Sequence, residues 1–318
     1  MKDNSFSKHP LIPDFLIIGA GKSGTTSLDK YLHQHPEIFI PAVKEPNFFG
    51  YEMSAVKDFE GRPEELKHYR QSVTNLEDYL KLFEAARPTQ LKGETSNTYM
   101  YHPTAPARIK HYNPQMKLIA ILRQPAGRLH SRYLHLAREN RTPTQQFEDC
   151  LNKNTIWWKR NDLIPEGFYY RNLKTYYELF PHENIKVYLY EDFSNKPKIV
   201  LRDIYRFLGV DETFETDFTV RYNESGMIKN KFWDKVYGQK GILTKTVRAL
   251  LPDQALGILK NNIFVQKQLN ELRSKNLIKP KLDPQVKYKL THEVYGEDIH
   301  QLQNLIGRDL SHWLNTSK

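Results

Sequence analysis

Residues 15–28, FLIIGAGKSGTTSL, constrain this chain more than any other stretch. Phe15 to Ile18 form an apolar run too short for a helix and suited to a strand buried on both faces. Gly19 and Gly21 let the backbone turn sharply, and after Gly24 the spacing of Leu28, Tyr31 and Leu32 becomes helical. A strand, a glycine loop and a helix start make an anion site. The first N–H groups of a helix lack intrahelical acceptors, and the helix dipole adds positive potential there. Lys22 brings a mobile cation over the loop, and the hydroxyls of Thr25, Thr26 and Ser27 add donors at the helix start.

Downstream, apolar runs at 38–40 and 117–122, a strand running into a loop at 90–95 and an alternating strand at 185–190 are interspersed with helical patterns at 75–86, 103–112, 126–138, 169–180 and 197–208. Such alternation predicts an α/β fold, a P-loop-NTPase-like parallel sheet flanked by helices. Residues 51–71 are polar without a clean period and read as surface structure. Residues 141–168 are irregular and rich in aromatic and basic side chains. Strand signals stop beyond Val210, and helical patterns follow at 254–274 and 285–316. One domain over 1–318 is expected, with a nucleotide-binding core at 14–225 and a mainly helical C-terminal part at 226–318.

Lys and Arg number 47 against 37 acidic residues, a net charge of +10 that favours anionic partners such as a multiply charged nucleotide or an acidic polymer. Cys150 stands alone, so neither an internal disulfide nor a cysteine-based metal cluster is available, and a reducing compartment fits. No run of about 18 apolar residues occurs. A cytoplasmic protein with no metal, no nucleic-acid partner and no integral membrane segment is expected.

The full Walker A pattern fails because Leu16 stands where its first glycine belongs. Read as KSGTTSL, residues 22–28 instead resemble the 5′-phosphosulfate loop of sulfotransferases that use 3′-phosphoadenosine 5′-phosphosulfate (PAPS). That resemblance carries nucleotide contact onto Lys22, Ser23, Gly24, Thr25, Thr26 and Ser27. A second stretch, LRQPAGRLHSRYLH at 122–135, places Arg123 at the tip of a buried strand and Ser131 two turns into the next helix. An arginine fork with a hydroxyl suits a terminal phosphate, although a lone arginine there more often closes a helix or pairs with a carboxylate. The stretch is similar to the 3′-phosphate motif of the same family, and two motifs in the correct order are more specific than either alone. Tyr190-Glu-Asp and Phe207-Leu-Gly209 resemble further family segments, which implies that Tyr190 lies near the adenine. The resemblance covers residues 14–225.

Lys44-Glu-Pro-Asn-Phe-Phe49 is similar to the segment that supplies the catalytic glutamate in heparan-sulfate-type sulfotransferases, and Glu45 falls on that position. Relatives acting on phenols and steroids use a histidine in a KTH motif, which Gly93-Glu-Thr-Ser96 lacks. The heparan enzymes also carry a lysine near the place of Glu94 and a disulfide loop, and this chain has neither. The resemblance implies sulfuryl transfer from PAPS to a hydroxyl of a sugar, polysaccharide or glycolipid. Lys22 would serve the leaving phosphate and Glu45 would act as base. Glu94, His102 and His35 are rival bases, and Trp157 and Trp158 either face a sugar or pack under their loop. A P-loop kinase or ATPase, and a sulfotransferase acting on a small phenol or alcohol, are the alternative functions.

Overall fold

The computed structural model describes residues 9–219, 227–228, 277–278 and 280–315. Strands β1 (Phe15–Gly19), β2 (Ile38–Phe39), β3 (Leu91–Thr95), β4 (Lys117–Leu122) and β5 (Ile185–Leu189) pair in parallel in the order β2-β3-β1-β4-β5. β1 is central, with Leu16 opposite Glu94 on one side and Leu118 on the other. The two-residue period of the strands sorts their side chains between two cores. Leu16, Ile18, Leu118, Ala120 and Leu122 enter one core, while Phe15, Ile17, Ile119 and Ile121 enter the other. Both faces are dry, which accounts for the unbroken apolar runs of β1 and β4.

The helices, in chain order, are α1 (Thr25–Leu32), α2 (Phe48–Tyr51), α3 (Pro63–Arg70), α4 (Leu76–Lys81), α5 (Ala105–Tyr112), α6 (Pro125–Arg138), α7 (Ile156–Lys159), α8 (Tyr169–Leu179), α9 (Tyr190–Asn195) and α10 (Pro197–Leu208), followed by α11 (Pro284–Lys289), α12 (Gly296–Ile306) and α13 (Ser311–Leu314). α1 and α10 cover one face of the sheet through Leu28, Leu32, Leu201, Ile204 and Leu208. Ile109, Leu129, Leu173 and Tyr176 cover the other, where Leu290 just after α11, Ile299 of α12 and Trp313 of α13 join the same core. Asp298 on α12 accepts the Tyr170 and Arg171 N–H groups at 2.9 and 3.2 Å, tying the C-terminal helices to the start of α8. Burial pushes the Asp298 carboxyl up to about 6.

The parallel α/β sheet is as the sequence predicts, and its strands lie within a residue or two of their expected places. Three local expectations are corrected. Residues 51–71 are more than featureless surface, for α3 forms there without an apolar stripe, anchored by Tyr69 stacking on Phe59 at 4.9 Å. The helix expected over 75–86 ends as an α-helix at Lys81. Beyond Val210, β6 (Met227–Ile228) and β7 (Leu277–Ile278) form an antiparallel ladder, too short to leave a period in the sequence. The helix expected at 254–274 lies outside the described residues. No helix among the described residues is long and apolar enough to cross a membrane.

Candidate active site

A cleft of about 610 Å³ opens at the carboxyl ends of β1 and β4, the usual place for ligands of open α/β sheets. The β1–α1 loop forms its floor. Lys22 takes a left-handed conformation (φ 67°), and Gly24, also left-handed (φ +96°), is the N-cap of α1 with no side chain capping it. A side chain at Gly24 would be strained and would press on Phe193 and Tyr190 at 3.3–3.4 Å. The Ser27 N–H already turns back to the Gly24 carbonyl at 3.0 Å, so the leading N–H groups at Thr25 and Thr26 are the ones placed for an anion.

Lys22, Gly24, Thr25, Thr26, Ser27, Glu45, Arg123 and Tyr190 all line this cleft. Ser23 and Ser131, expected beside them, are buried and do not line it. Arg123 sits at the end of β4 with its guanidinium 4.8 Å above the Tyr190 ring, so Tyr190 supports the arginine directly. Lys22 is surrounded by cations. Burial first, then Arg132, Arg138, Lys44 and Arg123, lowers its pKa to about 7. Lys44 donates to the Thr26 hydroxyl at 2.8 Å. Tyr31, Phe193 and Phe218 form an apolar wall beside the loop, with Tyr31 5.0 Å from Phe218 and 6.1 Å from Phe193.

Glu45 is held from several sides. Its backbone is left-handed (φ 52°), and its carbonyl accepts from the Asn47 amide at 2.7 Å. Asn47 is itself fixed by the Ser96 and Thr98 hydroxyls at 3.0 and 2.7 Å. The Glu45 carboxylate accepts from the Asn97 amide at 3.1 Å. Its rivals are elsewhere. Glu94 is buried and saturated by the hydroxyls of Tyr79, Tyr99 and Ser96, with burial pushing its carboxyl up to about 7. His35 is buried against the Asp211 carbonyl. His102 packs on Tyr51 outside the cleft, and burial lowers it to about 4.

The opposite end of the cleft contains His68, Tyr101, Arg132, His135, Glu139, Arg141 and Asp162, while Glu166 lies at the loop with its carboxylate on the Gly21 N–H; sequence reasoning singled out none of them. Arg132 and His135 on α6 and Glu139 at its C-cap recur at helical spacing, a signal that was available; Tyr101 lies between β3 and α5, and the others come from the two segments without a period. Asp162 accepts from Arg132 at 3.0 Å and from Arg160 at 2.7 and 2.8 Å. These arginines hold its carboxyl far below the carboxylate range, against burial. Arg141 pairs with Glu64 and with Glu139. The Nδ1 of His135 accepts from Arg138 at 3.0 Å, and burial with nearby Lys22 and Arg132 lowers the imidazole to about 3, so the neutral ring carries its proton on Nε2. Trp157 is fully buried with its N–H on the Thr144 hydroxyl at 2.9 Å, and the Trp158 N–H goes to the Cys150 carbonyl. Both pack under their loop instead of facing a ligand, because Phe147 and Tyr133 offer the Trp157 ring an aromatic core. Among the described residues, no three His, Cys, Asp or Glu side chains gather as a cation site.

A family model described as the sulfotransferase family matches residues 13–215, well over half of the chain. The chain belongs to the sulfotransferase family. Its match takes in both anion motifs, Glu45 and Tyr190, and it displaces the kinase alternative. Carbohydrate sulfotransferase 15 of Mus musculus is 25% identical over 257 residues, covering 63% of this chain and 44% of that protein. The bifunctional heparan sulfate N-deacetylase/N-sulfotransferase 1 of Caenorhabditis elegans is 28% identical over 224 residues, covering 67% and 24%. This sulfotransferase-family chain thus spans less than half the length of these curated relatives. The crystal structure of a sulfotransferase from Alicyclobacillus acidocaldarius matches with a TM-score of 0.65 and 27% identity, covering 95% of this chain and 98% of that one.

Proposed function

We propose that this chain transfers the sulfuryl group of PAPS to a hydroxyl of a carbohydrate-type acceptor. The observation that carries the reading is one cleft holding three cations without a carboxylate partner among the described residues, Lys22, Lys44 and Arg123, together with a braced carboxylate, Glu45. PAPS supplies the activated sulfuryl group. The loop from Lys22 to Ser27 receives the 5′-phosphosulfate, Arg123 takes the 3′-phosphate without the expected help of Ser131, which is buried away from the cleft lining, and the wall of Tyr31, Phe193 and Phe218 suits the adenine. Lys22 stabilises charge on the leaving phosphate, and Glu45 accepts the proton of the acceptor hydroxyl as its oxygen bonds to sulfur.

The lining opposite the loop supports a sugar. Asn97, Thr98, Tyr101, His68 and His135 offer many hydrogen-bonding groups, whereas a phenol would want a closed apolar pocket. The carbohydrate and heparan sulfate named in the curated relatives agree with this. The buried Trp157 no longer contributes to the argument. We place the reaction in the cytoplasm on the strength of the single cysteine.

Calorimetry with 3′-phosphoadenosine 5′-phosphate (PAP) and with AMP tests the nucleotide assignment. PAP is expected to bind at least about 10-fold more tightly, the worth of one charge-assisted phosphate contact. Equal affinities would overturn the role of Arg123. Labelled PAPS offered to oligosaccharides and to phenols tests the acceptor, and transfer to phenols alone would overturn the carbohydrate reading.

A further inference from the structure

We infer that residues 163–169 form a third element of the nucleotide site, in which Glu166 and Tyr169 are positioning residues that lock the two phosphate motifs to each other. The inference rests on the nucleotide reading proposed above. One oxygen of Glu166 accepts the Gly21 N–H at 2.7 Å, and the other takes the guanidinium of Arg128 at 2.8 Å. Glu166 and Arg128 are both buried, at 2% and 0% exposure. Arg128 lies in the first turn of α6, directly after Arg123, and also donates to the Leu163 carbonyl. Three residues further on, the buried Tyr169 hydroxyl donates to the Arg123 carbonyl at 2.8 Å. One short segment therefore grips the phosphate loop at Gly21, the backbone of Arg123 and the start of α6.

The contact at Gly21 is specific in shape. A side chain there would place its first carbon 2.9 Å from the Glu166 carboxylate, so glycine is what allows the approach. The segment is immobilised from behind, since the Tyr295 hydroxyl donates to the Ile164 carbonyl at 3.1 Å and the Asn172 amide to Pro165 at 3.1 Å. A buried ion pair is an expensive way to hold a fold together, because desolvation offsets much of its attraction. A carboxylate beside an anion site also opposes the ligand's charge. Both costs are intelligible if the pair fixes the direction of the loop N–H groups, where misplacement by an ångström weakens every phosphate contact.

The two residues have separable signatures. Glu166 acts on the loop that receives the 5′-phosphate, which PAP and AMP share. Tyr169 acts on Arg123, which reads only the 3′-phosphate. Wild-type preference for PAP over AMP is measured first, and its absence overturns the nucleotide reading itself. With that preference established, Glu166→Ala is expected to weaken PAP and AMP alike by about 10-fold, and Glu166→Gln, which keeps an oxygen for Gly21, to return both to within about 3-fold of wild type. Tyr169→Phe is expected to weaken PAP by about 5-fold while AMP stays within about 2-fold. A purely structural role would lower the melting temperature and leave the PAP-to-AMP ratio and the glutamine rescue without pattern. Wild-type affinity in folded Glu166→Ala, equal loss in both Glu166 variants, or an unchanged ratio in Tyr169→Phe would overturn the inference. Should the Glu166 variants fail to fold, the Tyr169→Phe ratio decides.

Discussion

The two ends of the cleft handle charge in opposite ways. At the loop end Lys22, Lys44 and Arg123 have no carboxylate partner among the described residues, and burial, followed by the charges of Arg132 and Arg138 and then of Lys44 and Arg123, lowers the Lys22 pKa to about 7. At the far end each lining arginine is matched within the protein, Arg132 by Asp162 and Arg141 by Glu64 and Glu139. The loop end is electrically incomplete and is finished by an anionic ligand. The far end is complete as folded, so it orients polar groups without demanding charge from them. The basic surplus of the chain is therefore a poor guide to the acceptor, because the lining cations left unmatched lie where the nucleotide is proposed to bind.

The largest effects should separate binding from chemistry. Lys22→Ala is expected to reduce turnover by about 1,000-fold and to weaken PAP as well, since it removes charge from the incomplete end. Glu45→Gln is expected to lose a similar factor in turnover while keeping PAP affinity within about 3-fold. Single-turnover transfer with calorimetry on the same preparations reads both quantities. Near-normal turnover in Glu45→Gln would move the base to His68 or another group of the far end.

Breaking the far end should cost stability in place of nucleotide affinity. Asp162→Asn leaves Arg132 and Arg160 without their shared carboxylate and is expected to lose about 3 kcal/mol of unfolding free energy, read by denaturant titration. PAP affinity should stay within about 3-fold. The folded-state pKa of Asp162 is depressed below its ordinary value of 3.8, so its contribution is present above about pH 4 and is lost as the pH falls further. A loss of PAP affinity as large as that of Lys22→Ala would mean the two ends are one electrostatic unit.

The same contrast explains what the sequence made legible. The loop end is built from two short motifs, β1 with Gly19 to Ser27 and the end of β4 with Arg123, each continuous in sequence and acting through backbone geometry that local pattern encodes. Most of the far end is assembled from α3, α6 and the irregular segment before α8, brought together by aromatic stacking and buried ion pairs that leave no period. The sequence leaves Trp157 and Trp158 open between a sugar platform and a packed position for the same reason. Only the tertiary position of Phe147 and Thr144 shows that Trp157 faces inward. Glu166 was invisible as well, because its partner Gly21 lies 145 residues away.

The smallest predicted effect sharpens the comparison by protons. Lys22 has its pKa lowered from 10.5 to about 7, so above pH 7 the free protein holds it largely neutral, and the phosphates of PAP favour the ammonium form. Binding at pH 8 should therefore take up close to one proton, and PAP affinity should fall by at most about 10-fold per pH unit above pH 7. The sign for folding runs the other way. Between pH 7 and 10.5 the unfolded chain binds more protons at this lysine than the folded one, so stability without ligand rises with pH across that window, and bound PAP flattens the rise. Asp162 is locked as a carboxylate and His135, lowered to about 3, is already neutral, whereas burial pushes the Glu166 carboxyl beside the loop up to about 7, so Glu166 is the other lining group that titrates in this window. Calorimetry at pH 8 in buffers of different ionisation enthalpy measures the proton directly, where the nucleotide phosphates are fully ionised and add nothing. Uptake that persists in Lys22→Ala would place the proton on another group, Glu166 included, and remove Lys22 from this distinction between the two ends, whereas its loss in that variant would assign it to Lys22.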